Sequence, residues 1–202
     1  MPCPRRSVRD ALRLATDAIH QRLHRHPVLQ RLADGSISRS DYVALLRRFL
    51  VFHELIEESL RGGPDLATHD IDLAERCRSP LLRRDLTALG APAMTAPPAL
   101  QGPRKPGSAA AALGYLYVSE GSRLGGLALA RSLDGLLGSG TVAGRSFLLG
   151  YGPRHGAMWR ALIESIEVQG IADEGRDAMV SASVAAFMLF ETCVDALGSP
   201  GA

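Results

Sequence analysis

From Val8 to Leu32 the apolar residues Val8, Leu12, Ala15, Ile19 and Leu23 return every three or four positions, predicting an amphipathic helix with one face on a core. Gly35 is its expected stop. Ser38 with Asp41 reads as a capped start, and Tyr42, Leu45, Phe49, Phe52, Ile56 and Leu60 carry a second stripe to the break at Gly62-Gly63-Pro64. Asp70 to Leu89 is weaker, restarts at Ser79-Pro80 and closes at Gly90. Ala109 to about Leu137 is helical in spacing, as is Arg154 to Val168, with Met158, Trp159, Leu162, Ile163 and Ile166 on one side. The last helix spans about Glu174 to Leu197, with Met179, Val180, Val184, Phe187, Met188 and Val194 turned inward. No alternation of apolar and polar residues persists long enough for a sheet and no repeat is visible, so the expected class is all-α.

At 202 residues the chain suits one core, and residues 1–202 are expected to form a single domain. The ends, 1–7 and 198–202, are expected to be flexible. Residues 91–108 hold five prolines and read as an internal loop, since cutting there would leave two halves with incomplete helical layers. The net charge of +2 lacks the one-sided field of a nucleic-acid or anionic-membrane binder. Lys105 is the only lysine among 23 basic residues, so an anion site here has to be built from arginine. Cys3, Cys77 and Cys193 are odd in number and widely spaced, which points to reduced thiols in a cytoplasmic protein. Neither a leader-like start nor about 18 uninterrupted apolar residues is present, so no membrane span is expected.

Composition leaves one anomaly. The chain carries 21 glycines although its spacing is helical, and glycine inside a helix costs roughly 1 kcal/mol against alanine. At about 100° per residue Gly114, Gly121 and Gly125 fall within roughly 40° of one another, with Ala128 and Ser132 extending the same bare face. Either a second helix packs closely there, or a flat ligand lies against the exposed backbone with Ser122 at its edge. On the first helix Arg13, His20 and His24 share one flank of the apolar stripe. His20 reads as a half-buried histidine satisfied by a neighbour, as an iron ligand beside an anion-binding arginine, or as half of an i, i+4 metal pair with His24.

The stretch Leu12-Arg-Leu-Ala-Thr-Asp-Ala-Ile-His20 resembles the proximal-helix motif of the haem oxygenases, with a threonine four residues before the ligating histidine. Tyr117-Val-Ser-Glu-Gly-Ser-Arg-Leu-Gly-Gly126 resembles their distal, glycine-kinked helix. Tyr42 to Leu60, Asp85-Leu-Thr-Ala-Leu-Gly90 and Phe187 to Leu197 match in order and spacing, so the likeness covers nearly the whole chain. It is nearest to the bacterial branch found with bacteriophytochromes.

The resemblance implies a haem-degrading monooxygenase that opens haem to biliverdin and releases carbon monoxide and ferrous iron. Haem is then both substrate and cofactor, and His20 is the proximal iron ligand. Arg13, Thr16 and Phe187 are implied as further haem-binding residues. Gly121, Ser122, Gly125 and Gly126 form the implied catalytic wall, where steric aim replaces an acid catalyst. Ser122 stands where animal members carry aspartate, and His24 where they often carry glutamate. No flavin or nicotinamide fingerprint is present, so electrons are expected from a ferredoxin or reductase, with a bacteriophytochrome as one recipient of biliverdin. Two other readings stay open: a di-iron oxygenase drawing on His53, Glu54, Glu57 and Glu120, and a non-enzymatic haem carrier. Glu120 is expected to be a solvated helix residue rather than a polar group at the distal edge.

Overall fold

A computed structural model describes residues 7–93, 96, 100–121 and 125–197. Cys3, Ser122, both chain ends and part of the proline-rich loop lie outside the described residues.

Helix α1 (Val8–Arg25) starts where the Ser7 hydroxyl accepts the Asp10 amide at 3.1 Å, and it buries Val8, Leu12, Thr16, Ile19 and Leu23 along one stripe. The stripe was expected to run on to Leu32 in one helix. Pro27 divides it: the residue before a proline is driven out of the α region, and His26 is extended at ψ 126°. Pro27 then opens α2 (Pro27–Asp34), which ends at left-handed Gly35. Helix α3 (Arg39–Arg61) begins at the expected Ser38 cap, whose hydroxyl accepts the Asp41 amide at 3.0 Å.

The weak middle segment resolves into α4 (Leu73–Arg76) and α5 (Ser79–Ala88). Residues 91–93, 96 and 100–108 are non-helical, as their prolines require. The loop is pinned where Arg47 donates to the Pro92 carbonyl and Ser59 to the Pro103 carbonyl. The following stretch was expected to be one helix to Leu137, but is instead α6 (Ala109–Gly121), α7 (Gly126–Ser132) and α8 (Asp134–Leu137). Then come α9 (Ser146–Leu149), α10 (His155–Gln169) and α11 (Asp173–Asp195). No strand occurs among the described residues.

Helix α11 packs along α6 and also meets α1 and α3, while α10 lies against α6 and α1. Helices α1, α3 and α11 contribute to two apolar clusters, the first shared with α6 and α10 and the second with α2, α5, α7 and α9, and Phe187 and Phe190 touch both. Helix α11 has the length and hydropathy of a membrane span, yet here it serves as a packing helix. Met188, expected inside, is 56% exposed. A buried carboxylate knits the second cluster: Asp85 accepts the amides of Ser146 and Phe147 at 2.7 and 2.8 Å, holding the start of α9 against α5.

Candidate haem site

Ile19 and Leu23 sink into the core and thereby turn His20 and His24 outward on the flank of α1. The two imidazoles meet edge-on with centroids 4.4 Å apart, and the Phe187 ring of α11 stands perpendicular to His20 at 6.1 Å. Partial burial lowers the His20 pKa, and His24 lowers it further against an opposing pull from Asp17. The neutral imidazole, whose lone pair binds metals, is therefore favoured at neutral pH. Arg13 is exposed seven residues earlier, within about 20° of the His20 direction and roughly 10 Å along the axis. Thr16, expected among the haem-binding residues, is 3% exposed, and its hydroxyl donates to the Leu12 carbonyl at 2.8 Å. It braces α1 internally and offers no polar atom to a ligand.

On α6, burial raises the Tyr117 phenol above its ordinary range, and the charges of Arg9 and Arg13 pull it partly back. Tyr117 in turn lies tilted against Trp159 of α10, centroids 6.0 Å apart.

The glycines of this segment fall into two kinds of position. A Cβ at Gly114 would sit 2.5 Å from the Met179 carbonyl and 2.8 Å from Ala182 Cβ, so this glycine permits the close approach of α6 and α11. At Gly126 a Cβ would lie 2.5 Å from the Leu148 carbonyl: contrary to expectation, that glycine serves packing of α7 on α9. Among the described residues, a Cβ at Gly121 would meet Trp159 alone, at 3.8 Å, and one at Gly125 would meet nothing within 4 Å. No packing contact among the described residues requires glycine at these two positions.

Glu120 is not solvated. It is 1% exposed and accepts a hydrogen bond from Arg76 at 2.6 Å. Of the other carboxylates offered to a di-iron site, Glu54 pairs with Arg83, and Glu57 accepts the amides of Arg78 and Ser79. His53 is 2% exposed beside the rings of Phe52 and Phe147. Among the described residues no three metal-ligating groups converge. Two hollows of about 340 and 330 Å³ are lined around Arg22 and Glu191 and around His53 and Arg76, and neither includes His20.

The donor set fits a porphyrin: the accessible, neutral imidazole of His20, an exposed arginine on the same flank of α1, the Phe187 ring beside it and two glycines with open space at their Cβ positions. The Heme oxygenase family model matches residues 6–196. The chain belongs to the haem oxygenase family. A haem oxygenase of Xanthomonas campestris pv. campestris (strain 8004) is 33% identical over 178 residues, covering 86% of this chain and all of that protein. The haem oxygenase of Neisseria meningitidis, in its NO- and CO-bound crystal structures, shares the fold with a TM-score of 0.75 at 21% identity, over 96% of this chain and 94% of that one. The haem oxygenase of Leptospira interrogans does so with 0.74 at 19% identity, over 95% and 100%.

This haem oxygenase is a haem-degrading enzyme, and the general reaction of its family yields biliverdin, carbon monoxide and iron. Sequence reasoning alone missed the Arg76 partner of Glu120 and the approach of Trp159 to Gly121. A carboxylate in the last turn of a helix, where the dipole disfavours it, was the signal available for the first.

Proposed function

We propose that the site binds haem with His20 as proximal iron ligand, Arg13 paired with a propionate, and Gly121 and Gly125 as the bare distal wall. The observation that carries this is the open space beside those two glycines among the described residues, whereas the space at the neighbouring Gly114 and Gly126 is filled by other helices.

Haem, once bound, supplies the redox chemistry and is itself the substrate. The protein's part is placement. His20 presents a neutral imidazole, and Phe187 restricts its ring from one side. Arg13 offers a planar fork suited to a carboxylate, fixing the in-plane orientation of the macrocycle. Gly121 and Gly125 would let backbone approach the bound ring, and neither sets a side chain of its own against it. Thr16 and Gly126 act one layer behind, by packing.

The finer reading is a single domain over residues 1–202 in the bacteriophytochrome-associated branch, working in the cytoplasm. Electrons come from a ferredoxin or reductase, ferrous iron is released, and a bacteriophytochrome receives the biliverdin. Purified protein given haem, reductant and oxygen is expected to lose its Soret band and gain biliverdin absorbance, with His20→Ala failing to do so. A stable haem complex that yields no pigment would sink the enzymatic reading.

A further inference from the structure

Arg76 is one of a few buried cations, 6% exposed, and the haem-binding constellation does not use it. It is the last residue of the short helix α4, and its guanidinium reaches two other elements. Nη1 donates to Glu120 Oε1 of α6 at 2.6 Å, and Nη2 donates to the Met158 carbonyl of α10 at 3.2 Å. Each partner is one residue from a member of the same contact: Glu120 precedes Gly121, and Met158 precedes Trp159, whose Cη2 lies 3.8 Å from the Cβ position of Gly121.

Physical chemistry singles out this arrangement. Glu120 sits in the last turn of α6, where the helix dipole disfavours an anion, and it is buried, so an unpaired carboxylate there is costly. Buried ion pairs seldom add stability over apolar residues of the same volume, and a directional pair instead specifies geometry. Arg76 also borders the 330 Å³ hollow shared with Leu116 and Ser119, so packing on that side does not hold it; its hydrogen bonds do.

We propose that Arg76 is a positioning residue for ring opening: by clamping Glu120 and the Met158 carbonyl it sets how closely Trp159 approaches Gly121, and thereby which meso edge of haem faces the distal wall. Lysine cannot reproduce this, because one ammonium lacks the two-armed plane that spans both acceptors. The inference rests on the haem-site reading above, with Gly121 as part of the distal face.

Trp159 is the only tryptophan in the chain, so its fluorescence reports on this contact without haem. The test compares wild type with Arg76→Lys, Glu120→Gln and the double variant Arg76→Met/Glu120→Leu, which removes the pair without stranding a buried charge. Melting temperature, Trp159 emission in apoprotein, Soret position and the biliverdin isomer ratio are measured for each. The double variant is expected to fold and bind haem with the wild-type Soret, shift the Trp159 emission, and convert a dominant isomer into a mixture with at least a tenfold change in ratio. Arg76→Lys is expected to fall between it and wild type. If the folded double variant keeps both the wild-type emission and the wild-type isomer ratio, the clamp is wrong; a shifted emission with an unchanged ratio refutes its role in ring opening. Failure of the wild type itself to bind haem through His20 would overturn the underlying site instead.

Discussion

Alanine at each of four glycines separates packing from function. At Gly114 a new Cβ would stand 2.5 Å from a backbone oxygen, and at Gly126 likewise 2.5 Å, against an ordinary van der Waals approach of about 3.5 Å. In both places the obstacle is backbone, so whole helices have to move apart. Overpacking of this kind costs about 1–3 kcal/mol, and about 1 kcal/mol of recovered helix propensity offsets part of it at Gly114. Gly114→Ala and Gly126→Ala are therefore expected to lose roughly 1–2 kcal/mol, a fall in Tm of roughly 2–8 °C for a domain of this size. Gly121→Ala and Gly125→Ala meet one ring carbon at 3.8 Å and open space respectively, so each is expected within about 0.5 kcal/mol of wild type. Thermal melts of the haem-free proteins measure this directly. Gly121→Leu and Gly125→Leu are then expected to stay folded and bind haem while ring opening is impaired or redirected. The reasoning is refuted if Gly125→Ala melts as low as Gly114→Ala, or if Gly125→Leu turns haem over with wild-type rate and isomer.

Loss of the proximal ligand in His20→Ala is expected to abolish the wild-type haem spectrum, with added imidazole restoring part of it; spectral titration with haem checks this. Asp85→Ala strands the buried amides of Ser146 and Phe147, and about 1–3 kcal/mol for each unpaired donor predicts a strongly destabilised protein in denaturant titration. The Arg22–Glu191 fork, at 2.6 and 2.8 Å, ties α1 to α11, and its hydrogen bond holds the Glu191 pKa below the ordinary carboxylate range. A depressed carboxylate pKa contributes stability above the unfolded value and loses it as pH falls through the folded one. A double-mutant cycle with Arg22→Ala and Glu191→Gln should therefore show coupling at neutral pH that disappears below that range and in high salt. Coupling that survives acid would contradict the assignment.

Local chemistry was legible in the chain itself. The three- and four-residue spacing around Leu12 and Ile19, the Ser38 cap and the Gly35 stop follow from helix periodicity and the unsatisfied amides at helix ends, so all-α architecture could be read without coordinates. The same periodicity put Arg13 and His20 on one flank of α1. Where it failed, the reason was a local rule that overrode the periodic signal, as at Pro27, or a tertiary partner that no spacing reveals. Four glycines look alike in sequence, because a missing side chain carries no information about what lies beyond it. Only the packing of α6 on α11 and of α7 on α9 fills the space at Gly114 and Gly126 and leaves it open at Gly121 and Gly125. Glu120 likewise reads as a surface residue until Arg76, 44 positions away, is brought to it. The sequence by itself determined the helices and the candidate ligand. Which glycines face a ligand, and which buried charges brace them, was decided by contacts between segments far apart in the chain, whose closeness is a property of the folded core.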